Sequence, residues 1–207
     1  LENGVLEHID YNKADDVFTV SFSTATGPTQ IYTVEGKKRD TVVLHTNEKT
    51  LGIPTELLSA GEDASFPSFD GLRVSARLYL PAKSLGFKGP RPVVYYIHGG
   101  PQGQERPDFA WFSMPLIQYL TLRGFAVFVP NVRGSTGYGR AFMEANRRDL
   151  GGGDLEDYVA ATDFLVATGY VDRACIGITG GSYGGYMTLI ALGKTPAVWA
   201  AGVQLYG

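Results

Sequence analysis

The sequence predicts an α/β fold, a mostly parallel sheet with helices on both faces, preceded by a run of antiparallel strands. From about residue 64 onward, short apolar segments alternate with helical ones, the pattern of parallel strands joined by helical crossovers. Residues 1 to about 60 instead hold short stretches of alternating apolar and polar residues and no helical periodicity. A third observation fixes the chemistry. Gly180-Gly181-Ser182-Tyr183-Gly184 is a G-x-S-x-G sequence between an apolar strand and a helix.

In the first part, Val17 to Ser23, Thr29 to Val34 and Thr41 to His45 read as strands of a meander, separated by Asp15-Asp16, Gly27-Pro28 and Gly36-Lys37-Lys38. Strands this few and short do not bury a core alone. They are expected to belong to a larger sheet assembly such as a propeller blade. Lys37-Lys38-Arg39 is the only cluster of three basic residues and reads as a solvated turn.

In the second part, Val74 to Leu80 is a strand ending at Pro81, Val93 to Ile97 follows Arg91-Pro92, and Ala126 to Val129 is a third apolar run. Ser113 is placed to cap a helix carrying Leu116, Ile117 and Leu120 and ending at Gly124. Asp154 is placed to cap the next, where Leu155, Tyr158, Val159, Thr162, Leu165 and Val166 recur at helical spacing up to Gly169. Ala174 to Thr179 reads as a strand buried on both faces, with Cys175 a small core residue, and Tyr186 to Leu192 as the helix after it. Domain boundaries are expected at 1–63 and 64–207.

Composition excludes several classes. The 207 residues carry 18 basic and 21 acidic side chains, a net charge of −3, so no nucleic-acid or anionic-membrane surface is expected. One cysteine rules out a disulfide framework within the chain. No apolar run approaches the ~18 residues of a membrane span. A cytoplasmic protein is expected, although the chain does not begin with methionine and its native N-terminus is not visible. His8 and His45 have no acidic or cysteine partners at ligand spacing, and neither a metal nor another cofactor is expected.

A serine at the tip of a sharp strand-to-helix turn must adopt a strained backbone. Glycines two residues before and after remove the Cβ atoms that would collide there. Three further motifs accompany the elbow in order: His98-Gly99-Gly100-Pro101 after one strand, Asn131-Val132-Arg133-Gly134-Ser135-Thr136-Gly137-Tyr138-Gly139 after the next, and Gly152-Gly153-Asp154-Leu155-Glu156-Asp157 opening a helix.

Together with the elbow these motifs resemble the prolyl oligopeptidase family of serine peptidases, in particular its acylaminoacyl-peptidase-like branch. The resemblance is strong over residues 64–207 and one of texture over 1–60. It implies the end of a β-propeller followed by the first part of an α/β-hydrolase domain, incomplete at its C-terminus. It implies Ser182 as the catalytic nucleophile, and the main-chain N–H groups of Gly100 and Tyr183 as the oxyanion hole. It implies short peptides as substrates; a homo-oligomer is one possible assembly, with the number of subunits left open.

Other residues admit two readings. Arg133 contacts a substrate carboxylate or ties its loop to an acid such as Asp154 or Asp157. Trp111, Phe112 and Tyr138 line an apolar specificity pocket or simply pack. His98 precedes the serine, whereas this fold orders nucleophile, acid, then base, so it is read as a strand-end histidine that hydrogen-bonds neighbouring loops. The 25 residues after Ser182 contain no Asp, Glu or His. A base and an acid are therefore expected beyond this stretch, and the 207 residues alone are expected to be inactive. Rival readings are a carboxylesterase of the same fold and a non-catalytic domain used for binding.

Overall fold

The computed structural model describes residues 1–50 and 52–207. Its first unit is a four-stranded antiparallel sheet of β1 (Gly4–Asn12), β2 (Val17–Thr24), β3 (Gly27–Glu35) and β4 (Thr41–Leu44), paired in sequence order. The alternating pattern predicts β2 to β4. β1 was not expected, because Glu7, His8 and Asp10 interrupt its apolar positions and most of it is exposed. Arg39 turns back from the β3–β4 turn to pair with Asp16 and lies 5.1 Å over the Phe18 ring, so only Lys37 and Lys38 of the basic trio are left to solvent.

Its second unit is a six-stranded sheet. β5 (Glu62–Pro67) and β6 (Arg73–Tyr79) form an antiparallel hairpin, followed by β7 (Arg91–Ile97), α1 (Met114–Leu122), β8 (Ala126–Asn131), α2 (Arg140–Glu144) and α3 (Gly153–Ala167). The unit closes with β9 (Val171–Gly181), α4 (Tyr183–Lys194) and β10 (Ala201–Leu205). The spatial order is β10-β9-β7-β8-β6-β5, parallel from β10 to β8 and antiparallel beyond. This is an α/β-hydrolase arrangement, with helices on both faces.

Alternation along β8, which is buried at every position, builds the two layers. Phe128 joins Tyr95, Ile97 and Ile178 beneath Leu155, Tyr158 and Leu165 of α3 and Met187 and Ala191 of α4. Val127 and Val129 point the other way, against Met114 and Ile117 of α1. Ala25, from the β2–β3 turn, belongs to this second layer. Gln118 of α1 fastens it: its amide donates to the carbonyls of Ala25 and Ser59 at 2.8 Å, and its Oε1 accepts from Ser59 N.

Three sequence expectations are corrected. Cys175 is exposed, because the β7–β9 register shifts between Arg91 and Val93 and the regular ladder starts only at Ile176. The helix at Gly153 has Gly152 at its cap position, not Asp154, which is the second residue of its first turn and is fully buried. Ser113 stands at the start of α1 without capping it, since its hydroxyl donates to Glu105 instead.

Candidate active site

β9 runs into α4 through a single residue. Ser182 has φ +57° and ψ −121°, a region that L-residues avoid, and its side chain is exposed. The turn is fixed at both ends: Ser182 N donates to Leu205 O of β10, and Tyr186 N to Ser182 O, each at 2.9 Å. The glycine spacing has a steric cause. A Cβ on Gly180 would stand 2.5 Å from Ile97 O, and one on Gly184 would collide with the same carbonyl. The elbow therefore packs directly on the end of β7.

That strand end carries the second element of the site. A Cβ on Gly99 would stand 3.7 Å from Ser182 Cβ, so the His98-Gly99-Gly100 loop lies alongside the elbow. Gly100 adopts φ +129°, which glycine alone takes without strain. The loop continues through Gly103, whose carbonyl accepts from Thr136 N at 2.8 Å, and Gln104, whose amide donates to Thr136 O at 2.9 Å. His98 is buried, with Nδ1 2.8 Å from Gly99 O and Nε2 2.9 Å from Ser135 Oγ. Burial pushes its pKa down, an effect that outweighs the Gly99 carbonyl, so the ring is neutral.

The loop after β8 is held from below. Arg133 is buried, bonded through Nε and Nη2 to Asp157 of α3 and through both terminal nitrogens to Asp70 of the β5–β6 turn, with Phe69 4.8 Å beneath its guanidinium. Asp157 also accepts from Arg133 N at 3.0 Å and from the Ser68 hydroxyl. These contacts are the ones the structural reading of Arg133 calls for. Its partner is Asp157 rather than Asp154, and Asp70 is an addition no local pattern signals.

Asp154 serves the elbow instead. It accepts from Gly151 N (2.8 Å), Leu155 N (3.0 Å), Asn146 Nδ2 (3.2 Å) and the Tyr183 hydroxyl (2.6 Å). The aromatic residues do not gather into one pocket. Trp111 and Phe112 meet edge to face, ring centroids 5.5 Å apart, and stand in solvent with Trp111 84% exposed. Tyr138 accepts a 2.9 Å bond from Asn131 and borders a polar cavity of about 250 Å³ that also holds Glu105 and Arg77. Sequence reasoning missed Glu105, buried and bonded to Ser113.

Among the described residues, no Asp, Glu or His bonds to Ser182, and no cluster of three His, Cys, Asp or Glu side chains is arranged to hold a metal. No helix among them is long and apolar enough to cross a membrane.

Comparison with known proteins places these features. A model of the prolyl oligopeptidase family matches residues 110–207. The uncharacterized peptidase YuxL of Bacillus subtilis is 31% identical over 99% of this chain and 30% of its own length. Dipeptidyl aminopeptidase BIII of Pseudoxanthomonas mexicana is 37% identical over 57% of this chain and 16% of its own. The acylaminoacyl peptidase of Pyrococcus horikoshii superposes with a TM-score of 0.82 at 26% identity, over 99% of this chain and 31% of that one. A puromycin-hydrolyzing peptidase of Mycobacterium tuberculosis gives 0.76 at 29% identity, over 90% and 28%. The chain thus spans between 16 and 31% of the length of these relatives.

Proposed function

Because this chain belongs to the prolyl oligopeptidase family of serine peptidases, we propose that Ser182 is the nucleophile of a peptidase acting on short peptides, of acylaminoacyl-peptidase or oligopeptidase type. The observation that carries the reading is the backbone of Ser182 itself. A non-glycine residue at φ +57° between a buried strand and a helix costs about 1–3 kcal/mol. That strain has a use only where the hydroxyl must be presented clear of both elements.

In the proposed reaction, Ser182 Oγ bonds to the scissile carbonyl carbon while its proton passes to a base. The carbonyl π electrons move to oxygen, where the N–H groups of Gly100 and Tyr183 receive the charge. Collapse expels the amine with that proton and leaves an acyl-serine ester, which water hydrolyses. The base and the acid that orients it are proposed to come from residues outside these 207. In support, nothing among the described residues accepts the Ser182 proton, and the relatives are longer. The 207 residues alone are accordingly proposed to turn over negligibly.

The test is Ser182→Ala in the full-length enzyme. Loss of both acyl-peptide hydrolysis and fluorophosphonate labelling is expected, and a retained peptidase rate would sink the assignment. Comparing a p-nitrophenyl ester with an acyl-peptide and an aminoacyl-anilide separates peptidase from carboxylesterase.

A further inference from the structure

The cavity of about 250 Å³ beside Tyr138 has no task in the proposed reaction, yet it opens on the same edge of the sheet as Ser182. Asn131, at the carboxyl end of β8, lines it together with Glu105, Arg77 and Asp63. Ser182 follows the end of β9, two strands from β8 with β7 between them, so about 10 Å separates the two strand ends. The loop after β7 spans that interval. Gly99 lies against Ser182, Gly103 and Gln104 bond to Thr136, and Glu105 reaches the cavity.

Glu105 is only 5% exposed, and half of its carboxyl group is unsatisfied. Ser113 donates to Oε1, whereas Oε2 receives no bond from the protein and is left to the cavity that the residue lines. The donors nearby are committed elsewhere. Arg77 pairs with Asp63 at 2.6 Å and donates to Ala60 O at 2.9 Å, and the Gln104 amide donates to Thr136 O. Asp108 lies close enough to add its charge, with Arg106 and, from β1, Glu7 beside it. Four carboxyl groups (Glu7, Asp63, Glu105 and Asp108) thus stand against two guanidinium groups (Arg77 and Arg106). Burial holds the Glu105 carboxyl up, at about 7, and a cation in the cavity would draw it back down. A buried carboxyl oxygen without a donor, in a corner of excess negative charge, suits a cationic hydrogen-bond donor. We propose that this cavity is a subsite for a basic side chain of the peptide substrate, whose ammonium or guanidinium group donates to Glu105 Oε2. At about 3.3 Å per residue of extended chain, that side chain belongs to a residue about two to four positions from the scissile bond. The inference rests on the Ser182 reaction above.

N-acetylated peptides test it in the full-length enzyme, with lysine or norleucine placed in turn at each of these positions on either side of the scissile bond. At one position lysine is expected to raise kcat/KM over norleucine by about tenfold or more, mostly through KM, as a hydrogen bond to a buried charge does. Glu105→Gln keeps the shape and removes the charge, and is expected to bring that ratio to within about twofold of one. A ratio near one at every position in the wild type, a lysine preference that survives Glu105→Gln, or a gain seen only when the N-terminus is left unacetylated would overturn the subsite. Ser182→Ala keeps the two readings apart. If it leaves hydrolysis intact, the Ser182 reaction falls; if it abolishes hydrolysis while the wild type shows no lysine preference, the subsite alone falls.

Discussion

The phenol of Tyr183 donates a 2.6 Å hydrogen bond to the buried carboxylate of Asp154, so the residue that follows Ser182 is pinned to the first turn of α3. Asp154 is wholly out of solvent, and its other donors are two backbone N–H groups and the Asn146 amide. Among the described residues no cation pairs with it. Its charge is held by four dipoles at a helix N-terminus, where a carboxylate is also favoured by the helix itself.

Tyr183→Phe removes one bond to a charged acceptor and almost no volume, and is expected to cost about 1.5–3 kcal/mol. Asp154→Ala orphans all four donors and is expected to cost more, about 3–5 kcal/mol. Denaturant melts of both variants check the order; no loss in Tyr183→Phe would mean that Tyr183 gains nothing from the carboxylate.

The Arg133 node is asymmetric, and the asymmetry is measurable. Asp157 is fully buried, whereas the Asp70 side chain is 41% exposed. Arg133→Leu strands the Asp157 charge in the interior and is expected to lose about 3–5 kcal/mol. Asp70→Asn removes a partner that water replaces and is expected to lose far less than Arg133→Leu. Urea midpoints of the two variants decide this, and comparable losses would contradict the burial difference.

These nodes mark where sequence reasoning reaches its limit. Ser182, the glycines around it and the strand–helix alternation are legible because each is a local demand: a strained turn needs small neighbours, and a buried crossover needs an apolar stripe. Arg133 pairs with an acid 63 residues away in the β5–β6 turn, and no periodicity encodes that distance. Asp154 fits the composition of a cap, yet Gly152 takes the cap and Asp154 turns to Tyr183, a choice made by tertiary packing. Cys175 reads as core by its apolar neighbours, but an irregularity in the pairing of its own strand with β7, between Val171 and Ile176, leaves it in solvent.

Glu105 gives the fold a pH dependence of definite sign. Burial, with Asp108 adding to it and the Ser113 hydroxyl opposing, pushes its carboxyl up from the ordinary 4.5 to about 7. Below pH 4.5 the folded and unfolded chains both hold the proton and nothing is lost. Between 4.5 and about 7 the unfolded chain ionises while the folded one does not, so stability falls as pH rises, by up to about 3 kcal/mol, and stays lower above 7. Glu105→Gln, neutral throughout, is expected to abolish this slope and to gain on the wild type as pH increases. Urea melts at pH 5 and pH 8 measure it, and an unchanged slope would show that Glu105 ionises normally.

The conformation of Ser182 predicts a trade between stability and chemistry at one atom's remove from the backbone. At φ +57° and ψ −121° a Cβ is strained, and only glycine is not. Ser182→Ala keeps the Cβ and the strain and loses only the hydroxyl, so its stability should match the wild type within about 0.5 kcal/mol. Ser182→Gly releases the strain but adds freedom to the unfolded chain, which offsets part of the gain. A net stabilisation of about 1 kcal/mol over Ser182→Ala is expected, seen as a raised melting temperature. Both variants should fail to label with a fluorophosphonate. Were glycine no more stable than alanine here, the elbow would be relaxed, and the strongest physical argument for Ser182 as a presented nucleophile would be lost.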